Sequence, residues 1–191
     1  MPGITIIAGQ ARGRKLKLPR ILLGIRPILA RIKKSIFDIL RNKIQESVFL
    51  DLFAGTGSVG IEAISRGAKR VVFVESQNKC ISIIKDNLEI FKFDRLSRVI
   101  NNDVHRYVEN SSEQFDIIFM GPPYKDENGM LFLSMPVIKA VADRKLLKPD
   151  GWIIVQHHKR ELLETYKDLI SFREEKYGDS IVSFYKHQRS S

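Results

Sequence analysis

The stretch Val48-Phe49-Leu50-Asp51-Leu52-Phe53-Ala54-Gly55-Thr56-Gly57-Ser58-Val59-Gly60 decides the fold. It opens on a run, Val48 to Phe53, that is apolar apart from Asp51, too short for a helix and suited to a buried strand. The run breaks at Ala54-Gly55-Thr56-Gly57, and Val59 to Arg66 then fits a helix that Gly67 closes. Strand, glycine turn and helix in this order form the unit that cradles adenosine-containing cofactors. The glycines turn tightly and leave room for a ligand against the backbone and the helix N-terminus. Gly55-x-Gly57-x-x-Gly60 has the spacing of the dinucleotide fingerprint. Glu75 lies twenty residues after Gly55, at the end of the strand-like run Arg70 to Glu75, where a ribose-binding acid belongs. The same letters also describe a glycine-rich turn that holds nothing, with Glu75 an ordinary surface acid.

Outward from this unit, strands and helices keep alternating. Cys80 to Phe91 is helical, and Arg98 to Asn101 and Phe115 to Met120 are strands. A helix covers Leu131 to Arg144, Trp152 to Gln156 is a strand, and Ser180 to Lys186 supplies the last strand after a helical or mixed stretch. This predicts an α/β, doubly wound, mainly parallel sheet with helices on both faces and an antiparallel last strand. Upstream, Ile4 to Ala8 and Lys15 to Leu18 are short strand-like runs around a basic turn. From Pro27, Ile28, Ile32, Ile36, Leu40 and Ile44 recur at helical spacing. The chain thus divides into a basic hairpin and helix, residues 1–45, and a sheet domain, residues 46–191.

Composition narrows the function. Hydrophobic residues at 43% and charged residues at 28% of 191 fit one globular domain. No stretch approaches the ~20 apolar residues of a membrane span. The single cysteine, Cys80, allows no internal disulfide and no Cys-x-x-Cys motif, which points to a reducing cytosol. The net charge of +10 is unevenly spread, because nine basic residues precede the first acid, Asp38. One-signed clustering of this kind is the footprint of a protein that meets a polyanion, with nucleic acid ahead of anionic lipid.

Three strand ends carry the candidate chemistry. NAD needs an anion site for its pyrophosphate, whereas S-adenosylmethionine brings a sulfonium and an ammonium that favour carboxylates. Asp51 suits the cation, and Asp103, after the third strand, suits an adenine amino group or a helix cap. At the end of the Phe115 to Met120 strand stands Gly121-Pro122-Pro123-Tyr124. Amino-group methyltransferases carry Asp/Asn-Pro-Pro-Tyr at this place. A base amine is a poor nucleophile, so a side-chain oxygen and the first proline's carbonyl hold its hydrogens while the aromatic ring stacks on the base. His157 and His158 are adjacent in a strand and face opposite ways, so they cannot jointly grip a metal. Cys80 and Trp152 read as packing residues.

Taken together, the chain resembles the RsmD family of small-subunit ribosomal RNA guanine-N2 methyltransferases nearly end to end. The resemblance is carried by Ile6 to Leu16 with its Arg12-Gly13-Arg14, by Arg26-Pro27, by Leu50 to Gly57, and by Ser65-Arg66-Gly67-Ala68. It continues through Phe73-Val74-Glu75, Phe115 to Phe119 with Pro122-Pro123-Tyr124, and Tyr177-Gly178-Asp179-Ser180. It implies a seven-stranded Rossmann-like sheet, S-adenosylmethionine as donor, and a guanine N2 amine of small-subunit (16S) rRNA as acceptor, free or in an assembling subunit. It implies Asp51, Phe53, Ala54, Gly55, Gly57, Glu75 and Asp103 at the cofactor, Pro122 and Tyr124 at the target base, and Arg12, Arg14, Lys15 and Arg26 on RNA. The chain is expected to act as a cytoplasmic monomer.

Gly121 departs from the family, which has aspartate there. One acceptor for the amine is then missing, and loss of one preorganised group costs about 10²–10³ in rate. Restoring the aspartate is expected to raise the single-turnover rate ~10-fold or more. Two other classes remain open on the residues alone: an RNA-binding relative without catalysis, and an NAD-dependent oxidoreductase.

Overall fold

A computed structural model describes residues 3–18, 28–123 and 133–188. In chain order the elements are α1 (Ala30–Ile39), β1 (Val48–Leu52), α2 (Ser58–Ser65), β2 (Arg70–Glu75), α3 (Asn78–Phe91), β3 (Ser97–Asn101) and α4 (Val104–Asn110). They continue with β4 (Phe115–Met120), α5 (Ser134–Asp143), β5 (Leu147–His158), β6 (Leu169–Tyr177) and β7 (Ser180–His187). The strands form one seven-stranded sheet in the order β3-β2-β1-β4-β5-β7-β6. Five are parallel, while β7 runs antiparallel to both β5 and β6. The chain winds outward from β1 to β3 and then crosses back to β4, so the switch in winding lies between β1 and β4.

Successive strand residues point to opposite faces. Phe49, Val71, Phe73, Ile117, Phe119 and Ile154 pack with α1, α2 and α3 on one face. Leu50, Leu52, Val72, Val74, Ile118 and Met120 pack with α4 and α5 on the other. Burial on both faces explains why the strands read as continuous apolar runs rather than alternating ones.

Three elements differ from the sequence expectation. The first helix is shorter, beginning at Ala30 and ending at Ile39, with turns carrying Leu40 and Ile44 into the same core. Helix α4 is short, and only Val104, Tyr107 and Val108 of its seven residues are buried, which leaves little periodicity to read. The stretch taken as helical or mixed contains β6, an edge strand whose Arg173, Glu174 and Lys176 face water. Charge on an edge blocks pairing with other chains and also hides the strand pattern.

The basic segment packs directly on the sheet domain. Thr5 pairs antiparallel with Lys15, Ile6 N–H donates to the Arg14 carbonyl at 2.9 Å, and Leu16 N–H to the Ile4 carbonyl at 2.8 Å. This hairpin lies across the C-terminal half of α2, so close that a Cβ on Gly9 would sit 1.7 Å from the Ser65 carbonyl oxygen. Glu62, wholly buried, accepts from the Ile7 and Ala8 N–H groups at 2.8 and 3.0 Å and from Arg66 Nε at 2.8 Å. It also pairs with buried Lys33 of α1 at 3.3 Å. Burial lowers the Lys33 pKa, an effect that Glu62 partly offsets. Ser65 Oγ donates to the Ala8 carbonyl and accepts from Ala11 N–H. Asn87 of α3 exchanges two hydrogen bonds with the Lys17 backbone.

Candidate functional site

The C-terminal ends of β1, β2 and β4 lie side by side at the switch in winding, and Asp51, the Phe53 to Gly57 loop, Glu75, Gly121 and Pro122 stand on or just after them. Asp51 is 1% exposed, and its Oδ2 accepts from the Gly60 N–H at 2.9 Å. Burial pushes its carboxyl well above the usual carboxylate range, against the Gly60 hydrogen bond and with a contribution from Glu75. After β1 the backbone turns through left-handed conformations at Phe53, Gly55 and Gly57, with φ of 58°, 55° and 72°. A phenylalanine in that region carries strain on the order of 1 kcal/mol, and such strain concentrates at ligand sites. Helix α2 then crosses close over β2. A Cβ on Gly60 would lie 2.2 Å from the Phe73 ring, so the third glycine of the fingerprint serves helix–strand packing.

Glu75 ends β2 and is nearly buried. Its Oε2 accepts from Gly55 N–H at 2.8 Å, and its Oε1 accepts from Ser76 and Gln77 N–H at 2.9 Å each. The backbone donors of the glycine loop and the α2 N-terminus are therefore partly spent on two carboxylates. A pyrophosphate would find the Gly55 and Gly60 N–H groups already taken by side chains. A sulfonium or ammonium would meet acceptor oxygens, whose spare lone pairs can also take ribose hydroxyls. This donor and acceptor set fits S-adenosylmethionine.

Asp103 follows β3 and is exposed. Its Oδ1 accepts from Arg106 N–H at 3.0 Å and caps α4, which leaves Oδ2 for an amino group. On β4, Met120 pairs with Leu52 of β1, which brings Gly121 beside Phe53. Pro122 is buried and Pro123 exposed. Tyr124 and Arg26 lie outside the described residues. A Cβ on Gly121 would lie 3.4 Å from the Phe119 ring and 3.9 Å from Gln156 Oε1 of β5, both ordinary contacts. Gln156 belongs to no motif of the sequence. The polar residue after Ile153-Ile154-Val155, on the strand beside β4, is the signal that finds it.

The basic residues separate into two kinds. Arg12 and Lys15 are exposed, and neither has a side-chain hydrogen bond or ion pair among the described residues. Arg14 donates to the Ile90 carbonyl at 2.8 Å and lies 4.4 Å above the Phe91 ring, so it also fastens the hairpin to α3.

The remaining residues have structural roles. His157 is buried with Nε2 2.9 Å from Ser183 Oγ, and burial lowers its pKa. Burial pushes the Cys80 thiol up to about 11. Trp152 packs on Phe172, with ring centroids 4.9 Å apart. Among the described residues no helix is long and apolar enough to cross a membrane, and no cluster of side chains could hold a metal ion.

Residues 4–186 match the family model described as conserved hypothetical protein 95. Ribosomal RNA small subunit methyltransferase D of Haemophilus influenzae is 34% identical over 188 residues, covering 97% of this chain and 93% of that one. The Escherichia coli protein of the same name is 31% identical over 150 residues, covering 78% and 69%. Among solved structures, a candidate methyltransferase from Escherichia coli, yhhF, superposes with a TM-score of 0.86 at 26% identity over 99% of this chain and 100% of that one. A candidate methylase from Haemophilus influenzae gives 0.80 at 31% identity over 98% and 100%.

Proposed function

The chain belongs to the RsmD family, that of conserved hypothetical protein 95, and from this premise we propose that it methylates the N2 amine of a guanine in small-subunit rRNA. The observation that carries the reading is the pair of strand-end carboxylates, Asp51 and Glu75, holding the backbone donors of a glycine loop. When bound, S-adenosylmethionine supplies an electrophilic methyl group: the N2 lone pair forms the C–N bond, the C–S pair stays on sulfur, and N2 sheds one proton to water.

The protein's own residues position the partners. Asp51 faces the cationic end of the donor, Glu75 takes the ribose hydroxyls, and Asp103 takes the adenine amino group. Phe53, Ala54, Gly55 and Gly57 wall the methionine side. The Pro122 carbonyl accepts one hydrogen of the target amine, and Tyr124 stacks on the extruded base. Arg12, Lys15 and Arg26, with Arg14 behind them, hold RNA phosphates. On this reading residues 1–45 grip RNA and residues 46–191 do the chemistry, in the cytoplasm, as a single chain acting on rRNA free or in an assembling subunit.

Two measurements test it. Calorimetry should show binding of S-adenosylmethionine and none of NAD. Mass mapping of small-subunit rRNA nucleosides, from cells with and without the protein, should show one N2-methylguanosine that depends on it. An unchanged map overturns the substrate.

A further inference from the structure

We infer that the Gln156 carboxamide supplies the acceptor for the second hydrogen of the target amine, in the place where the family's aspartate would act. This rests on the function proposed above. Met120 of β4 and Val155 of β5 are paired in parallel register, so Gly121, the first residue past β4, stands beside Gln156, which stays in β5 paired with Val182 of β7. Phe119 and Ile154 belong to the core on one face, and period-two alternation directs Gly121 and Gln156 to that same face. A Cβ on Gly121 would lie 3.9 Å from Gln156 Oε1, with the Phe119 ring at 3.4 Å as the nearest other group. An acceptor on residue 121 and the oxygen of Gln156 thus border one small volume, beside the buried Pro122.

The chemistry asks for two acceptors. The guanine N2 lone pair is delocalised into the ring, and it points usefully only when both N–H bonds are held. The Pro122 carbonyl can take one hydrogen. A carboxamide oxygen has two lone pairs, so it can take the other beside one further hydrogen bond. It differs from a carboxylate in having no charge. Hydrogen bonds to ionised groups are roughly twice as strong as neutral ones, so a carboxylate would favour the positive charge that develops on N2 more strongly. Gln156 is a positioning residue on this account: it orients the amine and neither gains nor loses a proton. The tenfold or larger gain expected from the sequence for Gly121→Asp shrinks accordingly, because the acceptor set is already complete.

The test is single-turnover methylation of small-subunit rRNA, free and in the subunit, at saturating S-adenosylmethionine. Wild type, Gln156→Ala, Gln156→Glu, Gly121→Asp and the double variant Gln156→Ala with Gly121→Asp are compared. Gln156→Ala should slow the step by ~10²-fold, the loss seen when one preorganised group is deleted. Its half-saturating RNA concentration and its cofactor affinity by calorimetry should stay at the wild-type values, so that the loss falls on the methylation step alone. Gln156→Glu should be at least as fast as wild type. The double variant should recover to within ~10-fold of wild type, because the carboxylate at 121 restores the acceptor. Gln156→Ala within ~3-fold of wild type overturns the inference, and so does a double variant as slow as Gln156→Ala. A wild-type protein that binds the cofactor and methylates no rRNA overturns the proposed function, and this inference with it. The two failures are distinct because the second appears before any residue is changed.

Discussion

Glu62→Gln keeps the shape of a buried side chain and removes its charge. In the native structure Oε1 accepts from Ala8 N–H at 3.0 Å and from Arg66 Nε at 2.8 Å, while Oε2 accepts from Ile7 N–H at 2.8 Å and pairs with Lys33 Nζ at 3.3 Å. A carboxamide has one oxygen. Whichever way it turns, one backbone N–H and one cation face an NH₂ group. The oxygen should turn to Lys33, whose side chain is 2% exposed, and abandon Ala8 N–H and Arg66, whose side chain is 14% exposed. A stranded N–H costs about 1–3 kcal/mol. Breaking a buried ion pair costs about 3–5 kcal/mol when the partner stays charged. Lys33 escapes part of that cost, because burial already lowers its pKa and the neutral amine needs no counter-ion. About 3 kcal/mol remains, a large share of a typical stability of ~5–15 kcal/mol. With a urea slope of about 2–3 kcal/mol/M for a chain of this size, the midpoint should fall by about 1–1.5 M. Hydrogen exchange should show the Ala8 amide losing more protection than the Ile7 amide, which keeps its acceptor, and cofactor affinity should hold. A midpoint shift below ~0.3 M at unchanged slope would refute the claim that the hairpin leans on Glu62.

Three further outcomes are expected. Between 3.8 and its raised native value, Asp51 keeps a proton that the unfolded chain has shed, so its contribution to stability falls as pH rises through that window. Asp51→Asn should therefore raise the Tm of the free protein at neutral pH. It should also weaken S-adenosylmethionine binding in calorimetry, because a carboxylate is lost from beside the cation. Gly60→Ala should cost about 1–3 kcal/mol in urea unfolding, since its methyl would overlap the Phe73 ring. Arg12→Ala should lower the slope of log RNA affinity against log salt by about 0.7–0.9, whereas Arg14→Ala should also cost about 0.5–1 kcal/mol of stability through its lost stacking on Phe91.

The parts legible in the sequence are those where one residue type has one physical use. The run Val48 to Phe53 with its glycine turn could only be a buried strand entering a helix, and it is. Glu75 stood at the right strand end because the fingerprint spacing is fixed by one turn and one helix. The bonds that fasten the basic hairpin were not legible. Glu62, Ser65 and Asn87 are polar residues on helices, and nothing local distinguishes them from solvated ones. Their partners lie 54 to 70 residues away. Gln156 was hidden for the same reason, because its proximity to Gly121 exists only once β4 and β5 pair. Asp103 was ambiguous between an adenine contact and a helix cap, and it does cap α4. Arg14 shows how charge counting misleads: a clustered arginine can be half fastener and half ligand.

Helix α2 links two places that have so far been treated apart. Its first turn backs the glycine loop, and its last turn carries Glu62, Ser65 and Arg66 under the hairpin. Eight residues at 1.5 Å each make a rod of about 12 Å, with the glycine loop at one end and the basic hairpin at the other. On the proposed function this rod is a ruler. The spacing between the gripped phosphates and the base that reaches the pocket is built into the helix, and the enzyme has no hinge there with which to change it. Target choice then becomes partly a matter of length: a guanine whose backbone distance to the hairpin differs by one helical turn, ~5.4 Å, falls short of the site or overshoots it.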